Sequence, residues 1–529
     1  MDSFNSLWWC KRCGVPLLRK KCENCGYEGI KICSDLKPMF NEECKFLENE
    51  IDKKIPGKSW QDGLWMRHKT IWINGKRLLR LSANGQPKII KEYFSRDGFP
   101  KHRLTPENLY EANKSTLDEL EKEALSFIKK IIKSYPKRKP VVSFSGGKDS
   151  TVVSYLVRKA LETDKILHIF ADTTMEYPDT YDYVENFSKN GNEIPFHKSS
   201  APNTFFDMCK LIEPPSRIKA WCCTVFKAAP IANILNYVNG GDGVISFEGI
   251  RRRESVRRKN IGRVYDNKKI AHQISVFPIL DWKEIEVWLY ILTRHLRFND
   301  SYRKGFYRVG CMYCPNNAPY TDYLIKAYFP KAFKKWFNFL KEYSQMIGKS
   351  DPEDYILSEG WKKRVGKSIP GESPAKINKR PCTDGENITN YILNKSFSEG
   401  EIVERFKPFG IIEKTTSPIG YSYIARDLNN GGGPLFMFQG TEGFNRLRVI
   451  ILVEQKKKKL IEDIERTIKR LQSCILCGGC KGICPQNAIS VDSHFFIKET
   501  LCTHCSRCLS SKYLPFGCVT VSMKRQWRT

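Results

Sequence analysis

The sequence predicts an α/β protein, a parallel sheet covered by helices, with small modules attached at both ends. Three observations predict it. From residue 141 to about 320, short apolar runs that read as buried strands alternate with amphipathic helical patterns. The first of these runs, Val141-Val142-Ser143-Phe144-Ser145-Gly146-Gly147-Lys148-Asp149-Ser150, reads as strand, tight turn and helix start. Most of the twenty cysteines fall in short C-x-x-C clusters before, within and after that segment. In a chain of 529 residues without a signal-like N-terminus, such clusters read as metal ligands rather than disulfides.

Residues 1–35 carry Cys10-x-x-Cys13 and Cys22-x-x-Cys25, with Gly14 and Gly26 directly after the pairs. Four thiolates on two knuckles make a zinc ribbon, expected to close one tetrahedral Zn2+ site. Cys33 and Cys44 lie outside the pattern. Residues 45–105 form a small β module, with turns at Asn74-Gly75 and Asn84-Gly85. Residues 106–138 are a helical linker. Its helix is expected from Ser115 to Tyr135, with Leu117, Leu120, Ala124, Phe127, Ile128, Ile131 and Ile132 on one face and Ser115 and Asp118 as its capping box.

Residues 139–325 are the core. Val141–Phe144, Ile166–Ala171 and Gly243–Glu248 are its expected strands; helices are expected at 149–162, 178–190, 224–238 and 283–294. Ser145, Gly146 and Gly147 allow a turn whose backbone N–H groups point inward. Asp149 and Ser150 then open a helix, so amide donors and a helix N-terminus make an anion site, with Lys148 adding positive charge. The mononucleotide loop G-x-x-x-x-G-K-[ST] is excluded, because Val142 stands at its first glycine and Asp149 at its Ser or Thr.

The adjacent pair Cys222-Cys223 and the later Cys311-x-x-Cys314 supply four more thiolates. That is the number a [4Fe–4S] cluster takes, and a structural zinc would use the same four. Residues 326–395 read as a helical extension whose aromatic residues, among them Trp336 and Phe339, serve as core. Residues 396–458 form a second small β module. Residues 459–529 hold the rest of a basic linker helix, expected from Gln455 to Leu471, and a cysteine-rich end. Cys474-x-x-Cys477-x-x-Cys480-x-x-x-Cys484-Pro485 is the bacterial ferredoxin run, whose fourth cysteine ligates the other cluster of a two-cluster domain. Cys502, Cys505 and Cys508 supply the second run. The spacing therefore assigns Cys474, Cys477, Cys480 and Cys518 to one [4Fe–4S] cluster. Cys484, Cys502, Cys505 and Cys508 take the other.

The string Ser143-Phe144-Ser145-Gly146-Gly147-Lys148-Asp149-Ser150, after a strand and before a helix, resembles the PP-loop of the ATP pyrophosphatase and sulfonucleotide reductase superfamily. Further segments narrow the resemblance: Asp172-Thr173-Thr174-Met175-Glu176-Tyr177-Pro178, Thr224-Val225-Phe226-Lys227 after the cysteine pair, Gly249-Ile250-Arg251-Arg252-Arg253-Glu254-Ser255, and Pro278-Ile279-Leu280-Asp281-Trp282. Together with the four central cysteines they resemble the iron–sulfur branch of the phosphoadenylylsulfate (PAPS) and adenylylsulfate (APS) reductase family, over about residues 139–320. The resemblance implies an adenine nucleotide or sulfonucleotide substrate, reduced to sulfite and nucleotide. It implies that Ser145, Gly146, Gly147, Lys148, Asp149 and Ser150 bind phosphate, that Arg251 binds an anionic group, and that Cys222, Cys223, Cys311 and Cys314 hold the central cluster. The chain lacks the family's E-C-G-L-H tail with its nucleophilic cysteine. Cys382, flanked by basic residues that favour the thiolate, is the remaining candidate, and Cys209 is the spare thiol within the core.

The expected cofactors are thus three [4Fe–4S] clusters and one Zn2+, with a ferredoxin-type electron donor. The formal net charge of +30 favours polyanions, so RNA is a second expected partner, and a PP-loop ATP-dependent sulfurtransferase acting on tRNA is the alternative function. A non-catalytic nucleotide-binding protein is the third reading. No apolar run approaches the length of a membrane span, and the chain reads as cytoplasmic.

Overall fold

The computed structural model describes residues 6–82, 84–93, 103–190, 194–238, 241–266, 270, 272–364, 376–381, 385–418, 420–428, 431–509 and 518–521. Its centre is a six-stranded sheet in the order Phe196–Ser200, Leu167–Asp172, Lys139–Ser143, Val244–Glu248, Gln273–Val276, Val264–Asp266. The first five strands run parallel, and Val264–Asp266 closes one edge antiparallel. Alternate residues serve two faces, as the strand period requires. Val142 packs into the main core with Val152 and Leu156, whereas Val141 joins Ala232, Leu235 and Val244 on the other side. The helices Pro106–Ser134, Lys148–Leu161 and Glu284–Thr293 pack on one another, and Ala229–Val238 packs against Leu167–Asp172 and Phe196–Ser200.

This order places the site. The chain leaves Lys139–Ser143 for the strands on one side, then returns to Val244–Glu248 on the other. Ligands of open α/β sheets bind at the carboxyl ends of strands where the order reverses. The loops that leave these two neighbouring strands are Phe144–Gly147 and Gly249–Arg251, the two segments singled out above.

The linker helix begins earlier than expected, at Pro106, with Thr105 accepting from the Asn108 N–H as its cap. Pro at the first position costs no hydrogen bond, so the start is favourable. The expected boundary at Ser115 survives as a kink: Asn113 leaves the helical region at φ −132°. Its side chain bonds Leu109 O, Pro16 O and the Leu18 N–H, which ties the helix to the N-terminal ribbon. The first β module is a five-stranded antiparallel sheet that starts at Lys37–Pro38 and includes a helix, Asn41–Ile51. Asn74 and Gly75, at φ 49° and 76°, form the expected tight hairpin turn.

The expected helical extension holds to Lys363 in four helices, with Trp336 stacked on Tyr313 and Phe339. Its last part is different: Asn378–Pro381 and Ile388–Ile392 are strands, paired into the six-stranded antiparallel sheet of the second β module. Ile388–Ile392 pairs on one side with the nearby Asn378–Pro381 and on the other with Arg446–Ile451, more than 50 residues away, a partner that the local pattern does not show. The linker helix before the cysteine-rich end spans Lys457–Ser473 and packs Ile464, Ile468 and Leu471 onto that sheet. Among the described residues, no helix is long and apolar enough to cross a membrane.

Candidate functional site

The phosphate loop is held by its own side chains and by Tyr302. The Ser145 N–H donates to Ser150 Oγ at 3.3 Å, Ser150 Oγ donates to Gly147 O at 2.8 Å, and the Lys148 N–H donates to the phenol of Tyr302 at 3.1 Å. Gly146 takes φ 70°, a conformation that glycine adopts without strain. Gly249 has a different reason: a Cβ there would lie 2.6 Å from the Asp149 carbonyl carbon and from Ser150 N. The two loops therefore touch backbone to backbone.

Beneath them lies a buried network of four charges. Lys148 Nζ is 2.8 Å from Asp149 Oδ2 and 3.4 Å from Glu284 Oε2. Arg251 reaches Asp149 Oδ1 at 2.6 Å and Glu284 Oε2 at 2.5 Å. Burial works against every charge here. For Lys148 the nearby Asp149 and Glu284 outweigh it and hold the ammonium above its ordinary value; for Asp149, Lys148 and Arg251 outweigh it and hold the carboxyl below. Two cations and two carboxylates make the closest contacts, and Glu254, shared with Arg258, stands 3.9 Å from Arg251. Arg251 lines the cavity above the network, and its guanidinium has carboxylate partners within the chain, Asp149 and Glu284 closest. It braces the loop, because a guanidinium this deeply buried needs opposite charge at once.

The cavity above this network measures about 810 Å³. Its walls include the phosphate loop, Gly249–Arg251, Glu176, Cys223 and Lys227. It thus joins the nucleotide loop to the edge of the central cysteine set. Cys222 lies in the electrostatic reach of Cys223, Cys311 and Cys314, and Lys227 lies between Cys311, Glu176 and Cys223. Burial pushes the Cys311 thiol up to about 12 against the opposing pull of Lys227. Cys311 Sγ is 3.7 Å from Glu176 Oε1, and Glu176 also accepts from Thr173 Oγ1 at 2.7 Å.

The other cysteines gather as follows. Cys10, Cys13, Cys22 and Cys25 have all sulfurs within 4.8 Å of one another, a group that could hold a metal ion. Cys10 and Cys25 are 3.5 Å apart, Cys13 and Cys22 3.8 Å. Four thiolates on a tetrahedral ion at a Zn–S bond of about 2.3 Å stand roughly 3.8 Å apart, so the set fits zinc. Cys474, Cys477, Cys480 and Cys518 line one small cavity, beside Arg470. Cys484, Cys502, Cys505 and Cys508 line another. Each of these cavities has four thiols and no carboxylate among its described lining residues, a donor set suited to an iron–sulfur cluster. Cys209 is fully buried, with its thiol well above the ordinary value, so it offers no thiolate. Cys382 lies outside the described residues.

Several site residues escape a reading of the sequence. Lys227, Glu176 and Tyr302 lie inside or near the segments noted above, but no local pattern gives them a role. Asp35 has no local signal: its carboxylate accepts from the Glu284 and Ile285 N–H groups at 3.1 and 2.9 Å and caps the helix that presents Glu284. Ser34, Asp35, Lys37, Met66, Arg67 and His68 bring the N-terminal modules into the cavity wall.

Comparison with known proteins agrees with this placement. The chain is 37% identical over 255 residues to an uncharacterized protein of Methanocaldococcus jannaschii, covering 48% of this chain and 50% of that protein. A second uncharacterized protein of the same organism is 33% identical over 260 residues, 48% of this chain and 60% of that protein. An adenosine 5'-phosphosulfate reductase of Geobacillus kaustophilus is 26% identical over 156 residues, 29% of this chain and 63% of that protein. The chain thus spans only part of the length of each relative. The phosphoadenosine phosphosulfate reductase domain family matches residues 139–317, the segment that carries the phosphate loop, Arg251 and all four central cysteines.

Proposed function

We propose that the protein is an iron–sulfur oxidoreductase that reduces a sulfonucleotide to sulfite and nucleotide with ferredoxin-type electrons. One observation carries the reading: a single cavity joins the phosphate loop to Cys223 and Lys227, and the cysteine-rich end packs on the helix that follows that cysteine. Gly482 lies against Ala229, and Gly479 lies near Thr224. The Asn236 amide donates to Cys484 O at 3.1 Å and to Asn487 Oδ1 at 2.8 Å.

In this reading Cys222, Cys223, Cys311 and Cys314 hold one cluster, and the two terminal sets hold two more. When bound, these clusters supply electrons one at a time. The chain's own residues bind and orient. The loop amides and the N-terminus of helix Lys148–Leu161 hold the nucleotide phosphate. Lys227, which lines the cavity with Glu176 and Cys223, sets positive charge beside the end where the sulfate group lies. Two electrons take sulfur from the sulfate to the sulfite level. The bond to its bridging oxygen breaks, and that oxygen leaves with the nucleotide phosphate.

The test is sulfite release from APS and PAPS by anaerobically reconstituted protein with a reduced viologen donor. Sulfite from either supports the reading. No sulfite from either, with all iron present and reducible, refutes it. Consumption of ATP that depends on added bulk tRNA would establish the sulfurtransferase instead.

A further inference from the structure

Two buried guanidinium groups meet the cysteine-rich end without a carboxylate to balance them. Arg405 lies in helix Glu399–Phe406 and Arg470 in helix Lys457–Ser473, two helices that pack on each other. Both side chains line the small cavity of Cys474, Cys477, Cys480 and Cys518. The other two arginines buried among the described residues are paired, Arg251 with Asp149 and Glu284 and Arg364 with Glu213. Arg405 and Arg470 are buried as deeply, and among the described residues neither pairs with a carboxylate. Arg405 lies over the ring of Phe495 at 3.6 Å, which offsets only part of its lost hydration. A buried charge persists where opposite charge meets it. Here that charge is sulfur: Cys480 lies within electrostatic reach of both guanidinium groups, and Arg470 also reaches Cys508, Cys518 and Cys474.

The second set stands differently. Cys505 is exposed, whereas no cysteine of the first set is. The basic residues that line its cavity, His504 and Arg507, are half-buried, so solvent screens their charge. The two sets also meet the helix after Cys223 at different points. Gly479 and Gly482, which flank Cys480, lie by Thr224 and Ala229, nearer that cysteine, whereas Cys484 O accepts from the Asn236 amide, farther along. One-electron reduction adds a negative charge to a site of four thiolates, and buried positive charge beside it favours the reduced form.

We infer that Arg405 and Arg470 set the order of electron flow: they hold the cluster of Cys474, Cys477, Cys480 and Cys518 at a higher reduction potential than that of Cys484, Cys502, Cys505 and Cys508. One electron enters at the second cluster, which is oxidised again as the first is reduced, and it rests at the first, beside the central set. Arg470 reaches both sets, so the difference falls chiefly on Arg405. The inference rests on the reading of these eight cysteines as the ligands of two [4Fe–4S] clusters.

The test is an EPR-monitored redox titration of the anaerobically reconstituted full chain, with Cys477→Ser identifying the signal of the first cluster. That cluster is expected to be reduced before the second. Arg405→Gln is expected to lower its reduced-to-oxidised ratio about tenfold at a fixed potential, about 59 mV for a one-electron couple, while the second cluster moves less than about twofold. Arg405→Lys, which keeps the charge, is expected to retain most of the ratio, and Arg470→Gln to lower both clusters. An unchanged ratio in both Gln variants, a first cluster reduced after the second in the parent, or equal shifts in Arg405→Gln and Arg405→Lys overturns the inference. Loss of the first signal in both Arg405 variants also overturns it, since that marks a structural role. Iron short of two terminal clusters in the parent overturns the cluster reading, and the inference with it. The titration needs no sulfonucleotide, so its result stands apart from sulfite release.

Discussion

Gly249→Ala tests the backbone contact on which the site is built. The added Cβ would lie 2.6 Å from the Asp149 carbonyl carbon and from Ser150 N, and 2.9 Å from Asp149 O. Ordinary contacts between carbons lie at about 3.5–4.0 Å, so relief requires the two loops to part by roughly 1 Å. The atoms in the way are backbone at a helix start, which cannot swing aside as a side-chain tip does. Overpacking of this kind costs ~1–3 kcal/mol. The displacement would fall on the 2.6 Å pair between Arg251 and Asp149 and on the amides that hold phosphate. If about half of that cost appears in binding, ~1 kcal/mol at the centre of the range, nucleotide affinity drops roughly fivefold. The assay is anaerobic calorimetry with AMP, alongside the melting temperature. Gly400→Ala is the control, since a Cβ in helix Glu399–Phe406 meets nothing within 4 Å. Affinity within twofold of the parent, with an unchanged melting temperature, would refute the reasoning.

Three other outcomes are expected. Gly482→Val should push the cysteine-rich end away from Ala229, whose Cα lies 2.7 Å from the position a Cβ would take; rapid-freeze EPR should then show the terminal clusters reduced well before the central one, and unchanged kinetics would count against direct delivery. Metal analysis should give about one zinc and twelve iron per chain, and Cys13→Ser should remove the zinc while sparing the iron; a loss of iron instead would move the ribbon to another metal. His168 is fully buried between Ser154 Oγ and Ile166 O, and burial pushes its pKa down to about 4. Because the folded state favours neutral imidazole, its contribution is complete above the unfolded value of about 6.5 and is lost as pH falls toward 4, on the order of 3 kcal/mol in all. His168→Gln should flatten that acid limb of the urea-unfolding midpoint, and an identical slope in both proteins would exclude the assignment.

The first half of the core is legible in the sequence because its strands are apolar and its helices amphipathic. Three of the six strands are hidden: the short edge strand Val264–Asp266, and two others for a physical reason. Gln273–Val276 buries Gln273 and Ser275, which bond one another, while Gln273 also meets Glu248 on the neighbouring strand, so polar residues sit where a buried strand leads one to look for apolar ones. Phe196–Ser200 is an edge strand with only one neighbour, and His197, Lys198 and Ser200 can stay polar there. The phosphate loop and the cysteine runs are legible because their function lies in local spacing. Asp35 and Arg67 are not, because each meets the site across a large sequence separation and neither belongs to a motif. The family pattern points to Arg251, but its carboxylate partners become visible only with the fold.

The cap that Asp35 places on the helix of Glu284 bears on where this protein can be cut. A fragment trimmed to the family match at 139–317 would begin after the cap, after Arg67 and after the long helix that covers the sheet. Its helix N-terminus would lose two acceptors, and the cavity would lose a wall. The main core also takes in Leu7 and Val519, from opposite ends of the sequence, so the segment that carries the family signature is not a portable unit. Transplanting this chemistry to another scaffold would mean moving the ribbon and the first β module along with it.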